Sequence, residues 1–268
     1  MIEAGKTYVV MGLLNSDSIA FAVGKVIEQH GGKVIYTVQN ERLKRIFFDR
    51  SKDLTREQID AIDIRYCDVT VEEELKTFFG GLGEIAGLVH SIGYANPKTC
   101  LGPEFHTDAI DDLKQAFHIS AVSLASAVRH AYPHMPGGGG VVALTFESRL
   151  AFPHYNWMGV NKAALEATVR ALARRHGRDL IRVNAVSAGP VATKAATSIP
   201  HFDMLANTWQ KISPLPWNVY EEKTEVANAT AFLLGPLSKK ITGQTIYVDG
   251  GASIIGGEMT PEERAPAT

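Results

Sequence analysis

Tyr155 and Lys162 stand seven residues apart in the stretch "YNWMGVNK". Along a helix, seven residues turn through about 700°, within about 20° of two full turns, and rise about 10.5 Å. The two side chains then share one face, and the long lysine leans back toward the phenol. An ammonium at that distance favours tyrosinate and lowers the tyrosine pKa. Such a tyrosine donates a proton, or a strong hydrogen bond, to a carbonyl oxygen where charge develops. The same lysine can bind ribose hydroxyls. Taken alone, the pair is equally a piece of helix with a polar residue at each end. It does chemistry only if other elements bring it to a cofactor.

Those elements alternate along the chain. Apolar, β-rich runs cover 6–12, 33–39, 63–69, 85–93, 138–146, 181–189 and 244–251. Helical spacing covers 18–32, 53–62, 70–83, 109–132, the stretch holding Tyr155 and Lys162 as far as about Gly177, and 224–235. Thr70, with Glu73 three residues on, reads as a capping box for the third of these helices. Strand-helix alternation of this kind predicts an α/β fold, a Rossmann-type doubly wound parallel sheet of about seven strands. No break in composition marks a second domain. Residues 1–255 read as a single nucleotide-binding domain, and 256–268 as a loose C-terminal tail.

Composition narrows the partners. With 45% apolar and 21% charged residues, the 268-residue chain has the balance of a soluble globular protein. A net charge of −2 gives no general attraction to nucleic acid or to an anionic membrane. No signal peptide and no uncharged apolar run long enough for a membrane helix is evident. Cys67 and Cys100 lack metal-site spacing and read as free thiols of a reducing compartment, so cytoplasm is the expected location.

In open sheets of this type, ligands sit beyond the carboxyl ends of the strands. The first strand ends at Gly12, and Ser18 opens the helix that follows, a turn able to cradle a pyrophosphate through backbone N–H groups. It reads equally as a tight turn with a serine cap. Gln39, at the end of the second strand, is a neutral hydrogen-bonder with no adjacent cation, which disfavours a 2′-phosphate. Arg42, Lys44 and Arg45 lie close by, as cation donors or as a solvated basic face. Asp68 reads as an adenine ligand or a helix cap, and His90, inside an apolar strand, as a core histidine. Ser91 and Gly93 end the fourth strand where a flat cofactor can lie. Gly189-Pro190 and Thr193 end the sixth in a loop that suits a ligand, or merely a break in the strand.

Taken together, these motifs resemble the enoyl-acyl-carrier-protein reductases of bacterial fatty-acid synthesis, within the short-chain dehydrogenase/reductase superfamily. The resemblance spans about 5–255. It rests on Gly12 with "SIA" at 18–20, "CDV" at 67–69, "HSIG" at 90–93, "YN-M" with Lys162, "RVNAVSAGPVAT" at 182–193 and "ITG...VDGG" at 241–251. Most short-chain dehydrogenases instead carry TGxxxGxG, NNAG and a serine thirteen before the tyrosine; that position here is Val142.

The resemblance implies NADH-dependent reduction of trans-2-enoyl thioesters on acyl carrier protein, by a homotetramer with the long fourth and fifth helices at its interface. It implies that Tyr155 stabilises the enolate and that Lys162 holds the nicotinamide ribose. Gly12, Ser18 and Ile19 would approach the pyrophosphate; Gln39, Asp68 and Val69 would border the adenosine; Ser91, Ile92 and Gly93 would line the floor. Val191 would meet the carboxamide and Thr193 a phosphate. Tyr94, Phe146, Ala195 and Ile199 would line the substrate site, the last two within a mobile segment at 194–210, and no metal is implied. Many members carry a second tyrosine ten before the catalytic one; that position is Thr145, with Phe146 beside it. Two rival readings stand: a short-chain reductase of ketones or alcohols, opposed by Val142, and a non-catalytic nucleotide sensor, opposed by the intact Tyr155-Lys162 pair.

Overall fold

Val9, Val10 and Met11 have no exposed surface. A strand apolar on both faces must be covered on both, so β1 (Thr7–Met11) belongs in the middle of a sheet. The computed structural model describes residues 1–260. The other strands are β2 (Lys33–Val38), β3 (Ile64–Tyr66), β4 (Gly87–His90), β5 (Gly139–Thr145), β6 (Ile181–Ala188) and β7 (Thr245–Val248). All pair in parallel, in the order β3-β2-β1-β4-β5-β6-β7. The winding direction reverses between β1 and β4, which puts the ligand crevice at their carboxyl ends. The predicted doubly wound Rossmann-type sheet of seven strands is therefore present.

The helices are α1 (Ile19–Gln29), α2 (Glu41–Leu43), α3 (Arg56–Asp60), α4 (Glu72–Gly80), α5 (Ile110–Phe117), α6 (Ser123–Ala131), α7 (Asn156–His176), α8 (Phe202–Ile212) and α9 (Lys223–Leu234). Helices α1 and α9 cover one face of the sheet, packing with Val10, Val142 and Val186. Helices α4, α6 and α7 cover the other, packing with Val9, Met11, Val141 and Ala143. Alternate residues of one strand thus serve two cores. A π-helical turn, His118–Val122, joins α5 to α6, and the Ser123 N–H reaches back five residues to the His118 carbonyl. It aims Ser120 and Ser123 at the sheet. His90 Nε2 lies 2.8 Å from Ser123 Oγ, and Ser120 Oγ both accepts from the Tyr94 N–H and donates to the Tyr94 carbonyl.

One expectation needs correction. The Thr70 capping box does not form: α4 starts at Glu72, and Thr70 gives both its N–H and its hydroxyl to Asp68 Oδ1. Glu72, Glu73 and Glu74 lead the helix instead, where its dipole favours negative charge. A full capping box occurs on α3, between Thr55 and Gln58, where none was predicted. In the described part of the expected tail, the Met259 N–H donates to the Lys211 carbonyl, and Lys211 pairs with Glu258. The rest of the expected tail lies outside the described residues. Cys67 and Cys100 are free, as expected, and both are buried.

Candidate active site

At Gly12 the chain leaves β1 with φ +93°, and a Cβ there would stand 2.2 Å from the Ser91 carbonyl oxygen. Only glycine permits that conformation and that approach. The cradle opens toward α1, whose first-turn N–H groups find no acceptor within the helix. Ser18 caps α1 by accepting from the Phe21 N–H at 3.3 Å, and Ile19 is packed against the core. The bare turn is thus a capped helix start and also a surface fit for an anion.

At the β2 and β3 ends, Gln39 Nε2 donates to Asp68 Oδ2 at 2.7 Å. Two residues expected at the adenosine half therefore touch, although 29 positions separate them. Burial pushes the Asp68 carboxyl up, but hydrogen bonds from Gln39 and Thr70 outweigh it and leave the group below its ordinary value. Val69 packs into the core between the sheet and α4, leaving only its backbone for a ligand. Lys44 is tied to Asp49 at 2.6 Å, so it is not a free cation.

Ser91 and Ile92 are half-buried and Gly93 exposed after β4. Lys162 Nζ lies 3.7 Å from the point where a Gly93 Cβ would stand, and it donates to the Leu144 carbonyl at 2.9 Å. Burial pushes the Lys162 amine down to about 8 against an upward pull from Glu166. His90, fully buried beneath it, is held to about 3 by burial and, to a lesser degree, by the Lys162 charge, so it is a neutral core histidine.

Tyr155 is not inside the helix. It is the residue before α7, and Asn156 takes φ +33°. That strained step is held from a distance: Asn156 Nδ2 donates to the carbonyls of Gly102 and Glu104. Nor does Lys162 draw the phenol toward tyrosinate here. Tyr155 is 7% exposed, and burial pushes its pKa up. The cause is aromatic cover. Phe146 meets Tyr155 edge-on with ring centroids 4.9 Å apart, and Phe146 also contacts Phe152 and Trp209. A neutral phenol in such a place is a proton and hydrogen-bond donor.

Beyond β6, Val191 and Thr193 are buried, and Thr193 Oγ1 accepts from the Ala196 N–H at 3.2 Å. Ala195 is exposed, while Ile199 packs against the cluster that includes Tyr155 and Trp209. Tyr94 is 42% exposed at the mouth. Two tryptophans pin this end: Trp209 Nε1 donates to the Asp249 carbonyl and Trp217 Nε1 to the Pro190 carbonyl. A Cβ on Gly189 would stand 2.8 Å or less from both rings.

A family model described as "Enoyl-(Acyl carrier protein) reductase" matches residues 12–253. The chain is 37% identical over 255 residues to the NADH-named enoyl-acyl-carrier-protein reductase FabI of Bacillus subtilis, covering 93% of this chain and 96% of the relative. It is 38% identical to the NADPH-named FabI of Staphylococcus aureus strain MRSA252, covering 93% and 97%. The chain belongs to the enoyl-acyl-carrier-protein reductase family. Among solved structures, the Bacillus cereus enoyl-acyl-carrier-protein reductase with NADP+ and indole naphthyridinone superposes with a TM-score of 0.84 at 35% identity, over 95% of this chain and 98% of that one.

In this family member, sequence reasoning missed Glu166, which accepts from Thr145 Oγ1 at 3.0 Å while 6% exposed. Its spacing of four from Lys162 was the available signal. His154 and His201 were also missed. Both have positive φ, and their rings lie tilted at 41° with centroids 4.6 Å apart; nothing in a one-dimensional spacing of 47 marks that pair.

Proposed function

We propose that this chain reduces trans-2-enoyl thioesters carried on acyl carrier protein, with NADH as reductant, in fatty-acid elongation. The observation that carries the reading is the family match over residues 12–253, together with Gly12 pressed against Ser91 and Lys162 Nζ beside Gly93 and on the Leu144 carbonyl, at the carboxyl ends of β1, β4 and β5. Bound nicotinamide supplies the hydride, which adds to C3 of the enoyl group. Tyr155 donates a hydrogen bond to the thioester carbonyl oxygen and stabilises the negative charge that develops there. Its burial serves this role, because a donor must keep its proton until the oxygen needs it. Lys162 holds ribose hydroxyls and fixes the cofactor's distance from Tyr155.

In this reading Gly12, Ser18 and Ile19 receive the pyrophosphate, and Gln39, Asp68 and the Val69 backbone the adenosine. Ser91, Ile92 and Gly93 form the floor, with Val191 and Thr193 at the carboxamide and phosphate. Tyr94, Phe146, Ala195 and Ile199 border the acyl chain, under a cover made by α8 and the turn before it. Residues 1–255 act as one domain in the cytoplasm. A homotetramer is supported by exposed apolar residues on the helices expected at its interface: Ile110, Phe117, Val122 and Val160.

NADH is favoured over NADPH because Gln39 is engaged with Asp68, Lys44 with Asp49, and Glu41 would repel a 2′-phosphate. Relatives carry both names, so this is the part to test first. Steady-state oxidation of NADH and NADPH should be measured with crotonyl thioester and with a ketone. Enoyl turnover with a lower KM for NADH is expected. Ketone turnover alone would overturn the enoyl assignment. A preference for NADPH would assign Arg42 or Arg45 to the 2′-phosphate.

A further inference from the structure

The last two residues of β5 hold two opposite charges of α7. Leu144 offers its carbonyl to Lys162 Nζ, and Thr145 donates its hydroxyl to Glu166 Oε1. Lys162 and Glu166 are one turn apart on α7, a spacing that puts both side chains on one face. Glu166 is buried, and burying a carboxylate is costly unless partners compensate it. Thr145 stands at the position where the resemblance gives many members a second tyrosine, and its hydroxyl donates to this carboxylate.

We propose that Glu166 is a positioning residue for the reductase site: its carboxylate, anchored by Thr145 and one turn along the same face of α7, is the counter-charge to the Lys162 ammonium that the Leu144 carbonyl holds beside Gly93. The proposal rests on the reading of Lys162 as the ribose-binding lysine. The surroundings leave this task to Glu166. On β4, His90 is neutral and offers no negative charge. Tyr155, before α7, keeps its phenolic proton. After β5, Glu147 is committed to Arg149, which donates to it through its backbone N–H, Nε and Nη2. Burial, the largest effect, and the Glu147 charge push the Glu166 carboxyl above its ordinary value, while hydrogen bonds from Ser148 and Thr145 and the Arg170 charge hold the rise back. Tyr247 on β7 and Arg149 complete the charged neighbourhood of Glu166.

The sign follows from burial. Lys162 is charged below about 8 and neutral above. Removing the Glu166 charge lowers that midpoint further, so the ammonium is lost at a more acidic pH.

Glu166→Gln keeps the shape and an acceptor for Thr145. In the ligand-free protein, the rate of Lys162 acetylation by acetic anhydride over a pH series, read by peptide mass spectrometry, gives the midpoint directly. It should fall by on the order of one unit. NADH affinity, from fluorescence titration, should be unchanged in mildly acidic buffer and weaker by roughly fivefold near the wild-type midpoint, as the charged fraction drops from about a half to about a tenth. Thr145→Val, which keeps the charge and removes its anchor, should move the midpoint the same way by less, and Thr145→Ser should restore it. A midpoint that does not move in Glu166→Gln, whatever its melting temperature, would show that Glu166 is only structural and overturn the proposal. If that variant does not fold, an unmoved midpoint in Thr145→Val overturns it instead. Failure of the wild-type protein to bind NADH would overturn the ribose assignment of Lys162, while the acetylation midpoint would still judge Glu166.

Discussion

Replacing Phe146 with alanine should cost stability and catalysis together. The ring is 8% exposed and touches three others, Phe152, Tyr155 and Trp209, with centroid distances of 5.1, 4.9 and 5.4 Å. Truncating a buried phenylalanine costs about 3–5 kcal/mol, and this crowded setting argues for the upper half, about 4–5 kcal/mol. Unfolding entropy near the midpoint is roughly 2.1 cal/mol/K per residue, or about 0.56 kcal/mol/K for 268 residues. The melting temperature should therefore fall by about 7–9 °C. The cavity also borders the Tyr155 ring, so the phenol loses the neighbour that fixes its tilt. Misplacement of a reacting group by an ångström or so is worth up to about a hundredfold in rate, and a loss of tenfold to a hundredfold in kcat is expected, with a higher KM for the enoyl thioester. Because Phe146 supplies no proton, the pH profile should keep its shape. Differential scanning calorimetry and steady-state kinetics on the folded fraction test both halves. A variant that melts early but turns over normally would refute the reasoning and leave Phe146 as a core residue alone.

Other outcomes follow from the same site. Tyr155→Phe should spare NADH affinity and lower turnover by roughly 10²–10⁴, whereas Lys162→Ala should weaken both; unchanged NADH affinity in the lysine variant would remove it from the cofactor site. Gly12→Ala puts a methyl 2.2 Å from the Ser91 carbonyl at a positive φ, so NADH affinity, read by fluorescence titration, should fall at least tenfold even in protein that folds. His90 binds a proton below about 3 in the fold but near 6.5 when unfolded. Between those values the unfolded chain holds more protons, so stability should decline as pH falls through that window. In denaturant melts, His90→Gln should flatten that decline, and an unchanged slope would place the acid sensitivity elsewhere.

The sheet was readable because its signal is local. Val9, Val10 and Met11 in β1, and the apolar run leading to His90 in β4, announce two-sided burial without any tertiary information. The meeting of Gln39 with Asp68 was readable too, since parallel strands bring their carboxyl ends together. The phenol's electrostatics were not. A seven-residue spacing says that two side chains share a face, but not that Phe146 and Phe152 shut out water there. Burial alone acts on the phenol, the ammonium does not reach it, and the sign of the expected shift reverses. The boundary of α7 was hidden for a related reason: Asn156 is held at positive φ by carbonyls of Gly102 and Glu104, more than fifty residues away. Thr70 likewise had two uses open to it, and the choice was made by Asp68, whose position is set by the sheet.

The π turn between α5 and α6 acts as a phase shifter. Two α-helical segments in one rod would keep a common angular register, each residue advancing the face by about 100°. The extra residue at His118–Val122 resets that register. Ile110 and Phe117 can then look outward while, a few residues on, Ser123 looks in at His90. Deleting one residue from the turn would leave a smoother helix and swing all of α6 around its axis, taking Leu124, Ala127 and Val128 out of the core. In this stretch, then, changes of residue type should be tolerated far more readily than changes of length.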